Sequence, residues 1–477
     1  MSEVDIVKVA EAIEAPPEAV EAVKTWAPNI ARWSTMYACA RVRLVLDLID
    51  GTHTRRRRTL GMTKRVCEDW SGLLWTENAI VTADEEKTPE ALFLEAMFGE
   101  RFAPLFSTHL ERDFAMGFGA VEVLVDDMLV SADGSVLPSA DTGIALSMVP
   151  AGNIVPLKWS AEGVTEAAFV SASKDYVDVR IYLDGPRVIN RRFSADALKE
   201  MALPEGIAPE IAFDGAPQLF RCHAPAIANN IDAASPFGMS VFGNAEDHFD
   251  TLDLVWDNFG EDFDLGGKMV FLPETMLRRS TTVDDPVTGK KAIIPPQRDK
   301  RNLFVALEDP SGGGIAGSPS SIHEHNPTLR VEENAKGLDV ALSMVSTAVG
   351  MGAERYIYRE GAIQTATQIV SENSELFRNR RKHLLAVSSM LADIARAALW
   401  CGSNIAGLPL NTEAEVVVRS DDSVIEDDAS RQNRGMEKVQ AGVMTVERYL
   451  VEYEGMAAED AVKEAAKLAV VTAPPLF

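Results

Sequence analysis

Gly350-Met-Gly-Ala-Glu-Arg-Tyr-Ile-Tyr-Arg-Glu-Gly-Ala-Ile-Gln364 is a glycine-flanked segment that leads into a long helical pattern over 365–401. Ile369, Leu376, Phe377, Leu384, Val387, Leu391, Ile394 and Ala398 recur there at steps near three, four or seven. That is the period of one buried helix face. No Pro interrupts it, and Gly402 follows as a C-terminal stop. At 1.5 Å per residue the helix would be roughly 55 Å long, far above the usual ~11–12 residues. Ser371-Glu-Asn-Ser374 is a weak helix former, so a bend is expected there. Arg378, Arg380, Arg381 and Lys382 put a basic cluster on the middle of the helix. A helix this long suits a spoke in a large assembly better than a single ordinary domain.

Working outward, a second informative helix is expected over 239–264. Phe249, Leu252, Trp256, Phe259 and Phe263 form an apolar seam at steps of three and four. Glu246, Asp250, Asp253, Asp257, Glu261 and Asp264 form an acidic face at the same spacing, with no Lys or Arg between Met239 and Asp264. Like charges at i,i+4 cost a few tenths of a kcal/mol each. The face is either an ordinary solvated surface or a charge carried for a purpose. Residues 331–349 show a further helical seam, Leu338, Leu342, Val345 and Val349, expected to return antiparallel to 239–264.

The segment between, 268–330, is loop-rich and relatively basic. Val270-Phe-Leu272 and Asn302 to Leu307 read as short strands, among Pro286, Pro295-Pro296 and Ser311-Gly-Gly-Gly314. It is expected to be a small projecting module. Its cations are Arg278, Arg279, Lys290, Lys291, Arg298, Lys300 and Arg301. His323-Glu-His325 offers two imidazoles but no third ligand, and the glycine run lacks the Lys of a phosphate loop.

Towards the N-terminus, residues 1–34 read as an acidic, Ala-rich helical arm broken by Pro16-Pro17. Arg55-Arg-Arg-Arg58 is the strongest basic run. It is either a solvated loop or a contact for nucleic acid or for an acidic neighbour. Residues 59–76 read as a helix. Strands are expected at 120–125, 144–149, 167–170 and 177–183, giving a mixed α+β domain with a sheet of modest size. Gly117-Phe-Gly119 lacks the third glycine and following helix of a dinucleotide site. Late in the chain, 413–418 reads as a strand and 430–470 as short helices.

The chain has 477 residues, enough for two to four folding units. Apolar content of 46% and charged content of 25% match a soluble globular protein. No run of about 18 apolar residues suggests a membrane helix. The start, Met1-Ser-Glu-Val-Asp-Ile6, lacks a signal-peptide pattern. Cys39, Cys67, Cys222 and Cys401 are far apart and read as free thiols. A net charge of −26 argues against ordinary phosphate gripping but not against surrounding DNA without holding it. There is no HExxH, GxSxG or Walker motif, so no enzyme, metal or cofactor is expected.

The order of these stretches resembles the portal proteins of siphovirus-type tailed bacteriophages. Thr59 to Leu74 is similar to that family's N-terminal helix, and Pro236-Phe-Gly-Met-Ser240 to the start of its first stem helix. Thr365 to Ser374 with Phe377 and His383 is similar to its long wing helix, and Val416 to Ser423 to its late strand. The resemblance implies an α+β subunit with a mixed α/β wing, a two-helix stem, a small α/β clip, a long kinked wing helix and a helical crown. The implied division is 1–235 arm and wing, 236–267 first stem helix, 268–330 clip and 331–349 second stem helix. Then come 350–363 tunnel loop, 364–428 long helix and late strand, and 430–477 crown. It also implies a homo-oligomeric ring, usually of twelve copies, at one capsid vertex, through which double-stranded DNA is packaged and ejected without sequence specificity. Implied partners are the terminase packaging motor, a head-completion adaptor, and the major capsid and scaffolding proteins, with no membrane. The motor hydrolyses ATP in that family. The location is the virion, and the host cytoplasm during assembly. In those terms Glu354, Arg355, Tyr356, Tyr358 and Arg359 reach the channel axis. The acidic face of 239–264 lines the wall, and the basic residues of 268–330 meet the motor or adaptor. A non-viral scaffold oligomer built on the same long helix is the competing expectation.

Overall fold

The computed structural model describes residues 5–40, 43–48, 51–75, 79–83, 87–131, 134–185, 187–273, 282–284, 291–293, 304–307, 323–357, 374–419, 435–436, 438–439, 444–453, 461–463 and 465. Helices α1 (Ile6–Ala12) and α2 (Pro17–Tyr37) flank the Pro16-Pro17 break. Pro17 opens α2, where its missing N–H costs nothing. Trp26, Ile30 and Trp33 point into the core at steps of four and three, and Trp26 stacks on Phe237. A hairpin of β1 (Arg43–Leu48) and β2 (Gly51–Arg56) follows and ends in the arginine run. Next come α3 (Met62–Leu74), β3 (Ile80–Ala83), α4 (Pro89–Phe98) and α5 (Phe102–Met116). Trp75, Phe98, Phe102 and Phe106 interlock at ring-centroid distances of 4.9–5.9 Å.

Two antiparallel sheets complete the body. In the first, β4 (Gly119–Asp126) lies between β7 (Gly143–Pro150) and β14 (Phe220–His223). A two-strand turn, β5 (Leu129–Val130) with β6 (Val136–Leu137), sits between β4 and β7. The second sheet has six strands in the order β12 (Glu200–Met201), β11 (Arg187–Ser194), β10 (Tyr176–Leu183), β9 (Gly163–Ala172) and β8 (Ile154–Ser160), with β13 (Glu210–Ala212) also on β11. The expected strands fall within β4, β7, β9 and β10. Strand β11 reads as polar in sequence and is held by cross-strand chemistry instead. Arg192 lies opposite Asp178, donates to it at 2.6 Å, and stacks over Tyr176.

The Gly117-Phe-Gly119 pair is explained by packing. Gly117 ends α5 at φ +75°, and a Cβ there would lie 2.6 Å from the Met239–Ser240 backbone. A Cβ on Gly119 would lie 2.1 Å from Asp113 Oδ1.

Helices α6 (Glu246–Leu265) and α7 (Val331–Ala348) run antiparallel. Asp262, near the end of α6, accepts from Arg330 at 2.7 Å and Asn334 at 2.6 Å, at the start of α7. Gly337 lies against Val255 further along. Between the helices, β15 (Met269–Pro273) pairs in parallel with β18 (Phe304–Leu307) and antiparallel with β19 (His323–His325). Strands β16 (Thr282–Asp284) and β17 (Lys291–Ile293) pair with each other. His323 and His325 are thus strand residues, and no metal-binding cluster occurs among the described residues.

Helix α8 (Ser374–Asn404) is the core's long member, with Leu391, Ile394, Ala395, Ala398 and Leu399 fully buried. Glu375–Asn404 is long and apolar enough to cross a membrane by length and composition, and half of its apolar window is buried inside this fold. The bend expected at 371–374 falls almost wholly outside the described residues. Strand β20 (Val416–Arg419) pairs with β3, and α9 (Val446–Glu452) lies in a small separate cluster around Tyr449 and Leu450.

Candidate functional site

The two charge features of the sequence, the acidic face of α6 and the arginine run, meet each other. Arg55 donates from Nη1 and Nη2 to the two carboxylate oxygens of Asp257, each at 2.8 Å, and also pairs with Glu261. Arg58 donates its backbone N–H to Asp257 Oδ1 at 3.0 Å and pairs with Asp264. Gly260 makes room for it, because a Cβ there would lie 2.7 Å from the Arg58 guanidinium. Arg57 Nη1 lies 3.9 Å from Asp250. At the N-terminal end, Glu246 accepts from Arg32 and, at 2.8 Å, from Trp33 Nε1. Asp253 accepts from Thr59 Oγ1 and the Leu60 N–H, both at 3.0 Å.

This corrects the expectation of an acidic face without cations. Asp257 is buried, and the Arg55 hydrogen bonds hold its carboxyl below the usual range. Burial pushes Asp253 the other way. The relief that α6 lacks in its own sequence comes from a hairpin about two hundred positions earlier. The apolar seam is only partly used: Phe249 and Leu252 are buried, whereas Phe263 is 48% exposed.

The glycine-flanked loop after α7 is anchored through its first half. Gly350 and Gly352 take φ of +77° and +82°, the left-handed region that glycine tolerates. Trp70 Nε1 donates to the Val349 carbonyl at 3.2 Å, and Asn379 Nδ2 to the Gly350 carbonyl at 3.0 Å. Ser346 Oγ donates to the Gly352 carbonyl. Tyr356, expected at the axis, donates its hydroxyl to Asp69 on α3 at 3.0 Å, and burial raises its pKa. Glu354 and Arg355 are exposed. Tyr358 and Arg359 lie outside the described residues, as do Arg278, Arg279, Lys290, Arg298, Lys300 and Arg301; Lys291 opens β17.

The basic cluster of α8 divides. Arg380 is buried and donates from Nε to the Leu73 carbonyl at 2.8 Å, in the last turn of α3. Arg378, Arg381 and Lys382 are exposed.

One arrangement is invisible in the sequence. His109 and Asp113 on α5 and His223 on β14 converge in the core, with Asp113 Oδ2 3.1 Å from His109 Nε2 and 2.9 Å from His223 Nε2. His383 of α8 packs beside them, between Trp70 and Phe114, and accepts the Ala226 N–H at Nδ1, 2.9 Å away. Burial lowers the pKa of His109, and lowers that of His383 to about 4 with help from His223 and Lys382. All four side chains are buried, and the cluster clamps α5, β14 and α8 together. The i,i+4 spacing of His109 and Asp113 is its one local signal.

No protein-family model matches the chain, and no curated protein matches it. Among solved structures, one similar chain belongs to the neck of a native GTA particle computed with C12 symmetry. It is 11% identical, with a TM-score of 0.39, over 87% of this chain and 90% of that one. Another belongs to the neck of an empty GTA particle computed with C6 symmetry. It is 12% identical, with a TM-score of 0.39, over 94% of this chain and 97% of that one.

Proposed function

We propose that this chain is the repeating subunit of a portal ring, a non-enzymatic channel through which double-stranded DNA enters and leaves a phage-type capsid. The observation that carries this reading is the antiparallel pair α6/α7. It joins the α/β body to a small strand module at one end and leads directly into the loop and long helix at the other. That is the order of stem, clip, stem, tunnel loop and wing helix that the sequence resemblance implies. In this reading residues 268–330 dock the packaging motor and later the adaptor, and the body meets capsid and scaffolding proteins. The virion is the final location, after assembly in the host cytoplasm. Arg355 and Arg359 sit on the segment nearest the duplex and touch phosphates without reading sequence. The carboxylates of α6 that hold the arginine run keep that hairpin in place.

The test is the assembly state of the purified full chain. Light-scattering mass and negative-stain images are expected to give a closed ring, of about twelve copies, with a central hole. A monomer at micromolar concentration over a salt series would overturn the reading. A compact or filamentous oligomer with no hole would favour a scaffold instead.

A further inference from the structure

The outer side of α6 and the outer side of α8 carry the same pattern in opposite charge. On α6 the exposed positions include Asp247, Asp250, Thr251, Leu254 and Asn258. On α8 they include Arg378, Arg381, Lys382, Leu385 and Ser389. Measured from the leucine, both sets fall at −7, −4, −3, 0 and +4. Each set therefore lies on one face, with its charges about one to two turns, or ~5–10 Å, to one side of an apolar residue. Leu254 is 44% exposed and Leu385 is 65% exposed, more than any other large apolar side chain described. Arg378, Arg381 and Lys382 form no ion pair with any described residue. Asp247 forms none either, and Asp250 has only the 3.9 Å approach of Arg57.

We propose that these two stripes are the two halves of one subunit interface: α8 of one copy lies parallel on α6 of the next. Arg378 then meets Asp247, Arg381 meets Asp250, and Leu385 packs on Leu254. The occupant is a second copy of this chain because the complement lies on this chain, in matching register and with a leucine at the same place in each pattern. A nucleic-acid partner would account for the cations but not for the exposed leucine beside them, nor for the matching acidic stripe. The two faces differ, so the contact is head-to-tail and repeats around a closed ring without using up either surface. The inference rests on the ring reading above and names the surface that closes it.

Charge reversal on the full chain tests it. Arg378→Glu/Arg381→Glu and Asp247→Lys/Asp250→Lys should each raise the concentration for half-assembly roughly tenfold or more, because like charges then face each other. Combining the four changes should restore assembly to within about threefold of the wild type. Thermal melting of each variant shows that it folds. A second measurement uses Leu254→Cys/Leu385→Cys with a short thiol crosslinker, since packed helix axes lie about 8–10 Å apart. It should give a covalent ladder of ring size, absent from either single variant. A monomeric wild type would sink the ring reading itself. Wild-type rings with charge variants that assemble normally, and no ladder, would sink only this interface. So would intact variant rings that merely retain less DNA, which would assign the basic stripe to nucleic acid.

Discussion

Residues 55–58 and residues 378–382 are both short arginine-rich runs, yet the fold treats them in opposite ways. The first turns inward. Arg55 and Arg58 lie across α6 and are held by Asp257, Glu261 and Asp264 of the same chain. The second turns mostly outward, with Arg380 taken by α3 and its neighbours left in solvent. Charge density therefore does not tell a structural cation from an interfacial one. What distinguishes them is the partner that the fold brings up: a carboxylate already buried, or, for Arg378, Arg381 and Lys382, none among the described residues. Buried pairs are costly to break from one side, because the remaining charge keeps its desolvation cost without its partner.

The largest expected effect breaks the inward run. Arg55→Ala leaves Asp257 buried with only the Arg58 contacts, and should destabilise the fold by about 3–4 kcal/mol. Chemical denaturation of the full chain measures it, with Asp257→Ala as a second variant of similar cost. A loss under about 1 kcal/mol would mean that the hairpin is held by something other than this ion pair.

The next effect is a dependence on pH from the buried histidines. His383 titrates at about 4 in the fold against an ordinary 6.5, so folding favours its neutral form. The unfolded chain binds the extra proton between those values. The stabilisation is complete above pH 6.5 and is lost as pH falls through 6.5 towards 4, at most about 3 kcal/mol in all. His109 acts in the same direction; Asp113, His223 and Arg112 face it, and His223 and Lys382 face His383. His383→Asn can keep an acceptor for the Ala226 N–H but does not titrate, so melting temperatures between pH 7 and pH 4 should fall less steeply than in the wild type. An unchanged slope would place the acid sensitivity elsewhere.

The sequence located elements wherever a periodicity was carried by apolar residues. Leu391, Ile394 and Ala398 mark the long helix, and Leu342 with Val345 marks α7; each of these is buried where the pattern put it. Helix α6 begins at Glu246 rather than near Met239, because Met239 and Phe242 are buried in the turns that lead into it. Strand β11 was missed because its stability comes from Arg192 and Asp178, a pair visible only once the register is known. The meeting of residues 55–58 with α6 was illegible for the same reason. A charge pair separated by 202 positions leaves no local trace, and each run by itself looks like solvated surface. The histidine cluster has one local pair, His109 and Asp113, and its other members arrive from β14 and α8.

The smallest expected effect completes the contrast between the two runs. Replacing Arg378, Arg381 and Lys382 by Ala removes three cations from one exposed face of α8. None of them has a described intrachain partner, so no buried carboxylate is stranded. Their mutual repulsion at i,i+3 and i,i+4 disappears, a gain of a few tenths of a kcal/mol. Alanine is also the better helix former, by a similar margin. The fold should therefore keep its stability to within about 0.5 kcal/mol when measured on subunits dissociated at low concentration. Assembly should weaken in the same variant, and rising salt should narrow the difference from wild type as screening removes what the cations contributed. A loss of subunit stability near that of Arg55→Ala would show that the outward run has a partner within its own chain. The two runs would then differ in sequence position alone.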